Sequence, residues 1–104
     1  MTTLVEFSVF PVGEGASVSA QVAAVVALVR DSGIPYRLTP MGTIIETDTV
    51  GHALDLVGRC CDLLVGQGCG RVYCTTKLDI RPGENPRMSA KVDAVTARIG
   101  AVAV

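Results

Sequence analysis

The chain has no tryptophan and only four aromatic rings, two Phe and two Tyr, so its core must be assembled from Val, Leu, Ile and Ala. It has one histidine, His52, and any Ser–His or Cys–His scheme of covalent catalysis would have to run through it. Its four cysteines, Cys60, Cys61, Cys69 and Cys74, form no C-x-x-C pair. That removes the short, paired ligand spacing of zinc sites, and the four read as reduced, buried cysteines serving as small apolar residues. No basic run exists, and nine Lys and Arg against ten Asp and Glu leave a net charge of -1, which excludes a nucleic-acid partner. The longest apolar run, Val22 to Val29, falls well short of the ~20 residues of a membrane span. The N-terminus opens on a strand pattern, without a basic segment leading into a cleavable apolar stretch, so a cytoplasmic location is expected.

What is abundant is aliphatic. Apolar residues make up 49% of the 104 residues, and the mean hydropathy is +0.46 for a 10.8 kDa chain. A single domain over residues 1–104 is expected, and folding at this size buries roughly two-thirds of the unfolded chain's surface. More apolar surface than one small core can hide predicts self-association.

The stretch Tyr36-Arg37-Leu38-Thr39-Pro40-Met41-Gly42-Thr43-Ile44-Ile45-Glu46 organises the rest. Tyr36–Thr39 alternates apolar and polar residues, and Thr43–Glu46 is rich in β-branched ones, so the two read as a hairpin. Pro40 presets one dihedral of the turn, and Gly42 is expected to accept a positive φ. Pro40 also donates nothing to a sheet ladder, which predicts an edge position for the first strand.

Before the hairpin, residues 3–10 alternate, with Val5, Phe7 and Val9 on one face and Glu6, Ser8 and Phe10 on the other. Val18, Val22, Val25 and Val29 follow at helical spacing, with Ser17 or Ser19 as the expected cap and Ser32-Gly33 as the stop. After the hairpin, Asp48 is the expected cap of a helix from about Thr49 to Gln67. Val50, Leu54, Val57, Cys61 and Leu64 share one face of it and Leu56, Cys60 and Leu63 a second, while Gly51 and Gly58 suit close backbone approach. Residues 71–80 alternate again, Pro82 to Pro86 form a loop, and Ser89 caps a final helix with Val92, Val95 and Ile99 as its apolar stripe. The order βαββαβ plus a C-terminal helix, with right-handed crossovers, defines an α+β, ferredoxin-like fold. It has a four-stranded antiparallel sheet with two helices on one face. The other face carries Glu6, Ser8 and Phe10 beside Tyr73, Thr75 and Lys77.

These residues resemble the thiamine-binding, YkoF-like family of small ferredoxin-like proteins. The resemblance runs through Glu6-Phe7-Ser8-Val9 with Pro11, Ser17-Val18-Ser19, and Leu38-Thr39-Pro40-Met41-Gly42-Thr43 with Glu46. It continues through Arg71-Val72, Thr75-Thr76-Lys77-Leu78-Asp79 with Arg81, and Met88 with Lys91-Val92. The Leu-Thr-Pro-Met-Gly-Thr segment is the most specific part. After Asp79 this chain departs from the pattern, having Ile80-Arg81-Pro82-Gly83 where relatives tend to carry a charged run. The resemblance implies a non-enzymatic oligomer, often a dimer of dimers and hence a tetramer, that binds thiamine or its hydroxymethylpyrimidine moiety without turning it over. Thiamine would then be a bound ligand and not a cofactor, and no metal is expected.

Such a ligand needs a few fixed polar groups, apolar or aromatic walls, and a carboxylate or ring face near its cationic end. Ser8, Thr39, Thr43 and Thr75 can supply hydroxyls, Glu6 or Glu46 charge, Phe10, Tyr36, Tyr73 and Met41 walls, and Gly42 close backbone approach. Lys77 completes the candidate set, and the Glu6–Lys77 pair also reads as an ordinary cross-strand ion pair. The alternative reading is an assembly or regulatory module whose open sheet face serves only subunit or protein contact.

Overall fold

The computed structural model describes residues 2–13, 15, 18–83 and 87–104. Ser17, one of the two expected caps, and residues 84–86 of the expected loop lie outside the described residues. The elements are β1 (Thr2–Pro11), α1 (Ser19–Asp31), β2 (Tyr36–Thr39), β3 (Gly42–Thr47), α2 (Val50–Gly66), β4 (Val72–Arg81) and α3 (Ala90–Ile99). The sheet has the order β2-β3-β1-β4 with every neighbouring pair antiparallel, which is the ferredoxin-like arrangement. β2 lies at an edge as expected, although it ends at Thr39 and Pro40 falls in the turn that follows it.

Alternation along β1 sets the two faces. Val5, Phe7 and Val9 are buried with Ile45 beneath Val25 and Val29 of α1 and Ala53, Leu56, Cys60 and Leu64 of α2. Glu6 stands opposite Lys77, Ser8 opposite Thr75 and Phe10 opposite Tyr73, so the expected polar set does share the other face. Glu6 and Lys77 form an ion pair at 3.2 Å, and Phe10 and Tyr73 bring their ring centres to 5.8 Å.

Several local expectations are corrected. Ser19 is the first residue of α1 and not its cap; Val18 holds the cap position without a side-chain bond. Thr49, not Asp48, caps α2, its hydroxyl accepting from the His52 amide at 3.1 Å. The buried face of α2 centres on Ala53, Leu56, Cys60 and Leu64, which leaves Leu54 and Val65 exposed. Gly51 and Gly58 have nothing within reach of an added Cβ, so no backbone approaches them. Only Cys60 of the four thiols is buried, and Cys74 is exposed. Ser89 precedes α3 but makes no side-chain cap bond, and none of α3's residues is buried. All four cysteines are free thiols.

The lead-in to α3 is tied to the sheet end through Glu46. Its carboxylate accepts from the Thr2 hydroxyl at 2.6 Å, the Met88 amide at 2.8 Å and the Arg87 amide. The Arg87 guanidinium in turn donates to the Asp79 carboxylate and carbonyl, both at 2.7 Å. Beyond that anchor α3 stands off the body. The radius of gyration is 15.1 Å, against about 13 Å for a compact chain of this length.

Candidate functional site

The β1–β3 ladder stops at Phe7↔Thr43, whereas β1 goes on pairing with β4 as far as Pro11↔Val72. From Ser8 onward, therefore, β1 has no strand partner on its β3 side among the described residues. The backbone groups that would have continued the ladder face a cleft of about 250 Å³. Its floor is Phe7 to Phe10, α1 contributes Val22, Val25 and Val26 with Val18 at its cap, and the hairpin end contributes residues 38–43.

The hairpin end is held by one hydroxyl. Thr39 Oγ1 donates to the Gly42 carbonyl at 2.8 Å and accepts from the Met41 and Gly42 amides at 3.2 and 3.1 Å. Two-residue hairpins favour primed turns, which need positive φ at a central position. Pro40 forbids that, and no non-glycine residue here has positive φ. The Thr39 clasp takes over the work of stabilising an unprimed turn. Its single proton and both lone pairs are thereby committed.

Gly42 also differs from expectation. Its φ is not positive; it begins β3 and packs against β1, where an added Cβ would lie 2.9 Å from the Phe7 carbonyl oxygen. The residue is glycine because two strands close there, and that closure sets the rim of the cleft.

Of the expected site residues, Ser8, Phe10, Thr39, Met41, Gly42 and Thr43 line this cleft. A second hollow of about 200 Å³ on the open sheet face gathers Glu6, Thr75 and Lys77, and shares Phe7, Ser8 and Met41 with the first. Tyr73 stacks on Phe10 of the same face and lines neither hollow. Glu46 is apart from both. Burial pushes its carboxyl pKa up, but bonds from Thr2, Arg87 and Met88 and the Arg87 charge outweigh this and hold it below the usual range. His52 lines another hollow with Thr2, Glu46 and Asp48, beside the start of α2. Among the described residues no group of three His, Cys, Asp or Glu side chains is placed to hold a metal.

Sequence reasoning missed the α1 valines and the unpaired β1 edge. Val22 and Val26 are half-buried, so they do more than fill the core. A signal existed: the apolar arc of α1 is wider than a single sheet contact uses. The early end of the β1–β3 ladder had no sequence signal.

A ferredoxin-like α+β protein with a small cleft at the hairpin end of its sheet is the class these features define. The chain belongs to the family described as thiamine-binding protein, which matches residues 5–96. It is 38% identical over 95 residues to a UPF0045 protein of Mycobacterium bovis, covering 91% of this chain and 92% of that one. A UPF0045 protein of Methanothermobacter thermautotrophicus is 30% identical over 95 residues, covering 90% and 96%. Among solved structures, a domain of unknown function, DUF77, from Bacillus cereus superposes with a TM-score of 0.78 at 27% identity, covering 88% of each chain. A candidate thiamine biosynthesis/salvage protein of Thermotoga maritima has the same fold, with a TM-score of 0.78 at 19% identity, covering 91% and 99%. No helix among the described residues is long and apolar enough to cross a membrane.

Proposed function

We propose that this protein binds thiamine, or its hydroxymethylpyrimidine half, in the cleft between α1, the unpaired edge of β1 and the Thr39–Gly42 turn, and releases it unchanged. The observation that carries the reading is the juxtaposition of an unpaired strand edge with an apolar wall. A strand edge offers donors and acceptors in alternation, which suits an aminopyrimidine, and the valines supply the dry contact such a ring needs. Membership of the thiamine-binding family supports the choice of ligand. The cleft's 250 Å³ lies just under the roughly 300–1,000 Å³ of ordinary small-molecule sites. That size suits the pyrimidine half, with the cationic thiazolium lying past Ser8 and Met41 toward Glu6. Thr39 and Gly42 shape the site in this reading, while Ser8, Thr43 and Thr75 line the ligand's path. Glu46, committed to Thr2 and the 87–88 segment, takes no part.

The binding protein acts as a homo-oligomer in this proposal, a dimer of dimers. Its accessible surface is 6500 Å², against about 5,500 Å² for a compact monomer of this mass. The excess is comparable to the ~800 Å² that each partner contributes to a standard interface.

Calorimetric titration tests the ligand. Thiamine and hydroxymethylpyrimidine are expected to give saturable heat, with the thiamine recovered intact by chromatography. Val22→Trp, which fills the cleft from a half-buried position, is expected to weaken binding at least tenfold, whereas Lys91→Ala on α3 leaves it unchanged. Absence of heat and of any melting shift at millimolar ligand overturns the proposal, and so does conversion of the thiamine.

A further inference from the structure

The sheet has two free edges, and they are unequal. β2 is four residues long and runs into Pro40, whereas β4 runs for ten residues without a proline. Its register with β1 is unbroken from Val72 to Arg81, so no bulge turns that edge away. The Val12 amide donates to the Arg71 carbonyl at 2.9 Å. Counting in twos from there, the main-chain groups of Tyr73, Thr75, Lys77 and Asp79 face β1. Those of Val72, Cys74, Thr76, Leu78 and Ile80 face away and meet no strand among the described residues. Side chains at this edge are bare on both faces of the sheet: Tyr73 is 50% exposed, Leu78 38% and Ile80 45%. A long, unbroken edge carrying apolar side chains is a ready template for another strand.

We propose that β4 pairs antiparallel with β4 of a second copy of this chain, about a two-fold axis at Thr75, joining two four-stranded sheets into one. This contact rests on the homo-oligomer proposed above and names the surface that builds its dimer. The outward main-chain groups allow only registers in which even-numbered residues face even-numbered ones. Among these, an axis at Lys77 or Asp79 sets that residue against its own like charge, and one at Thr76 sets Arg71 against Arg81. An axis at Cys74 sets Arg71 against Lys77. One at Leu78 brings Cys74 against Pro82, which shortens the ladder, and axes nearer either end leave few rungs. The axis at Thr75 avoids all of these. Val72 then bonds the partner's Leu78, and Cys74 the partner's Thr76. Between those rungs Arg71 meets the partner's Asp79, Tyr73 the partner's Lys77, and Thr75 the partner's Thr75. Unlike charges, a ring beside a lysine and a threonine pair are each favourable across strands. Thr75 and Lys77 line the second hollow, so the partner's Tyr73 extends its wall from across the axis.

Disulfide trapping tests the register, using whole chains that also carry Cys74→Ser and mild copper-catalysed oxidation in air. Facing residues of a non-hydrogen-bonded pair lie about 4.5 Å apart at Cα, within the roughly 4.4–6.8 Å that a disulfide spans. Thr75→Cys is therefore expected to cross-link to itself across the axis, giving a covalent dimer on a non-reducing gel. Tryptic mapping should join two copies of the 72–77 peptide. Tyr73→Cys alone and Lys77→Cys alone should stay single, since each lies about 13 Å from its own copy. Refolded together, those two chains should form a mixed dimer. Thr76→Pro, made in the otherwise unaltered chain, removes an outward amide and no bond to β1. Its mass in light scattering is expected to fall to about half that of the unaltered protein. An oligomer in which Thr75→Cys fails to cross-link, Lys77→Cys cross-links to itself, or Thr76→Pro keeps its mass overturns this contact and leaves the assembly standing. A monomeric unaltered protein overturns both.

Discussion

Gly42 and Glu46, four residues apart on β3, act through opposite kinds of constraint. Gly42 is there because a methyl group would sit 2.9 Å from a backbone oxygen, which cannot swing away as a side chain would. Gly42→Ala should therefore force the hairpin off β1. The expected cost is about 1–3 kcal/mol, read as a lower urea midpoint at unchanged slope. Glu46 works through charge. Its carboxyl is held below the ordinary range, so the stabilisation it brings is fully present above the unfolded value of about 4.3. That stabilisation is lost as pH falls through the folded value. Glu46→Gln should cost about 1–3 kcal/mol at pH 7, because donors arranged for a carboxylate meet a neutral amide. It should also flatten the loss of stability below pH 4–5 that the unaltered protein shows in pH-dependent denaturation. Charge at position 46 was legible in the sequence. Its direction was not, since its partners Thr2, Arg87 and Met88 are more than 40 positions away along the chain.

At the scale of elements, the start of α2 separates two neighbouring cap candidates. Thr49 has extended backbone and its hydroxyl takes the His52 amide, so Thr49→Ala should cost about 1 kcal/mol, while Asp48→Ala should stay within about 0.5 kcal/mol. Thermal melts of the two variants decide it. Periodicity located every strand and helix to within one or two residues because alternation and 3.6-residue spacing are local properties. Rotation of α2 about its axis was harder to read. With apolar residues on nearly every side, the pattern admitted faces centred on Leu54 or on Leu56, and only contact with the sheet chose Leu56. Gly51 and Gly58 misled for a related reason: a glycine marks permission for close approach, and among the described residues nothing uses it at these two positions.

For the whole molecule, the question is what covers α3 and the open sheet face. No residue of α3 is fully buried by its own chain, yet the helix carries Val95 and an Ile99 that is 73% exposed. If the proposed assembly is correct, light scattering at micromolar concentration should give a mass well above 10.8 kDa. A stable monomer would contradict it. A chain ending at Ser89 keeps the Glu46 anchor and should lose only the helical circular dichroism of α3 itself, but it should shift toward smaller species. The element order, the edge position of β2, the two faces of β1 and the family resemblance were determined by the sequence alone. Turn chemistry and alternation act between near neighbours and survive in any one-dimensional reading. Tertiary structure alone decided where the β1–β3 ladder stops, and hence that a cleft opens beside Ser8. It also drew Glu46 away from that cleft. Each of these depends on how distant segments pack and on which groups water can no longer reach.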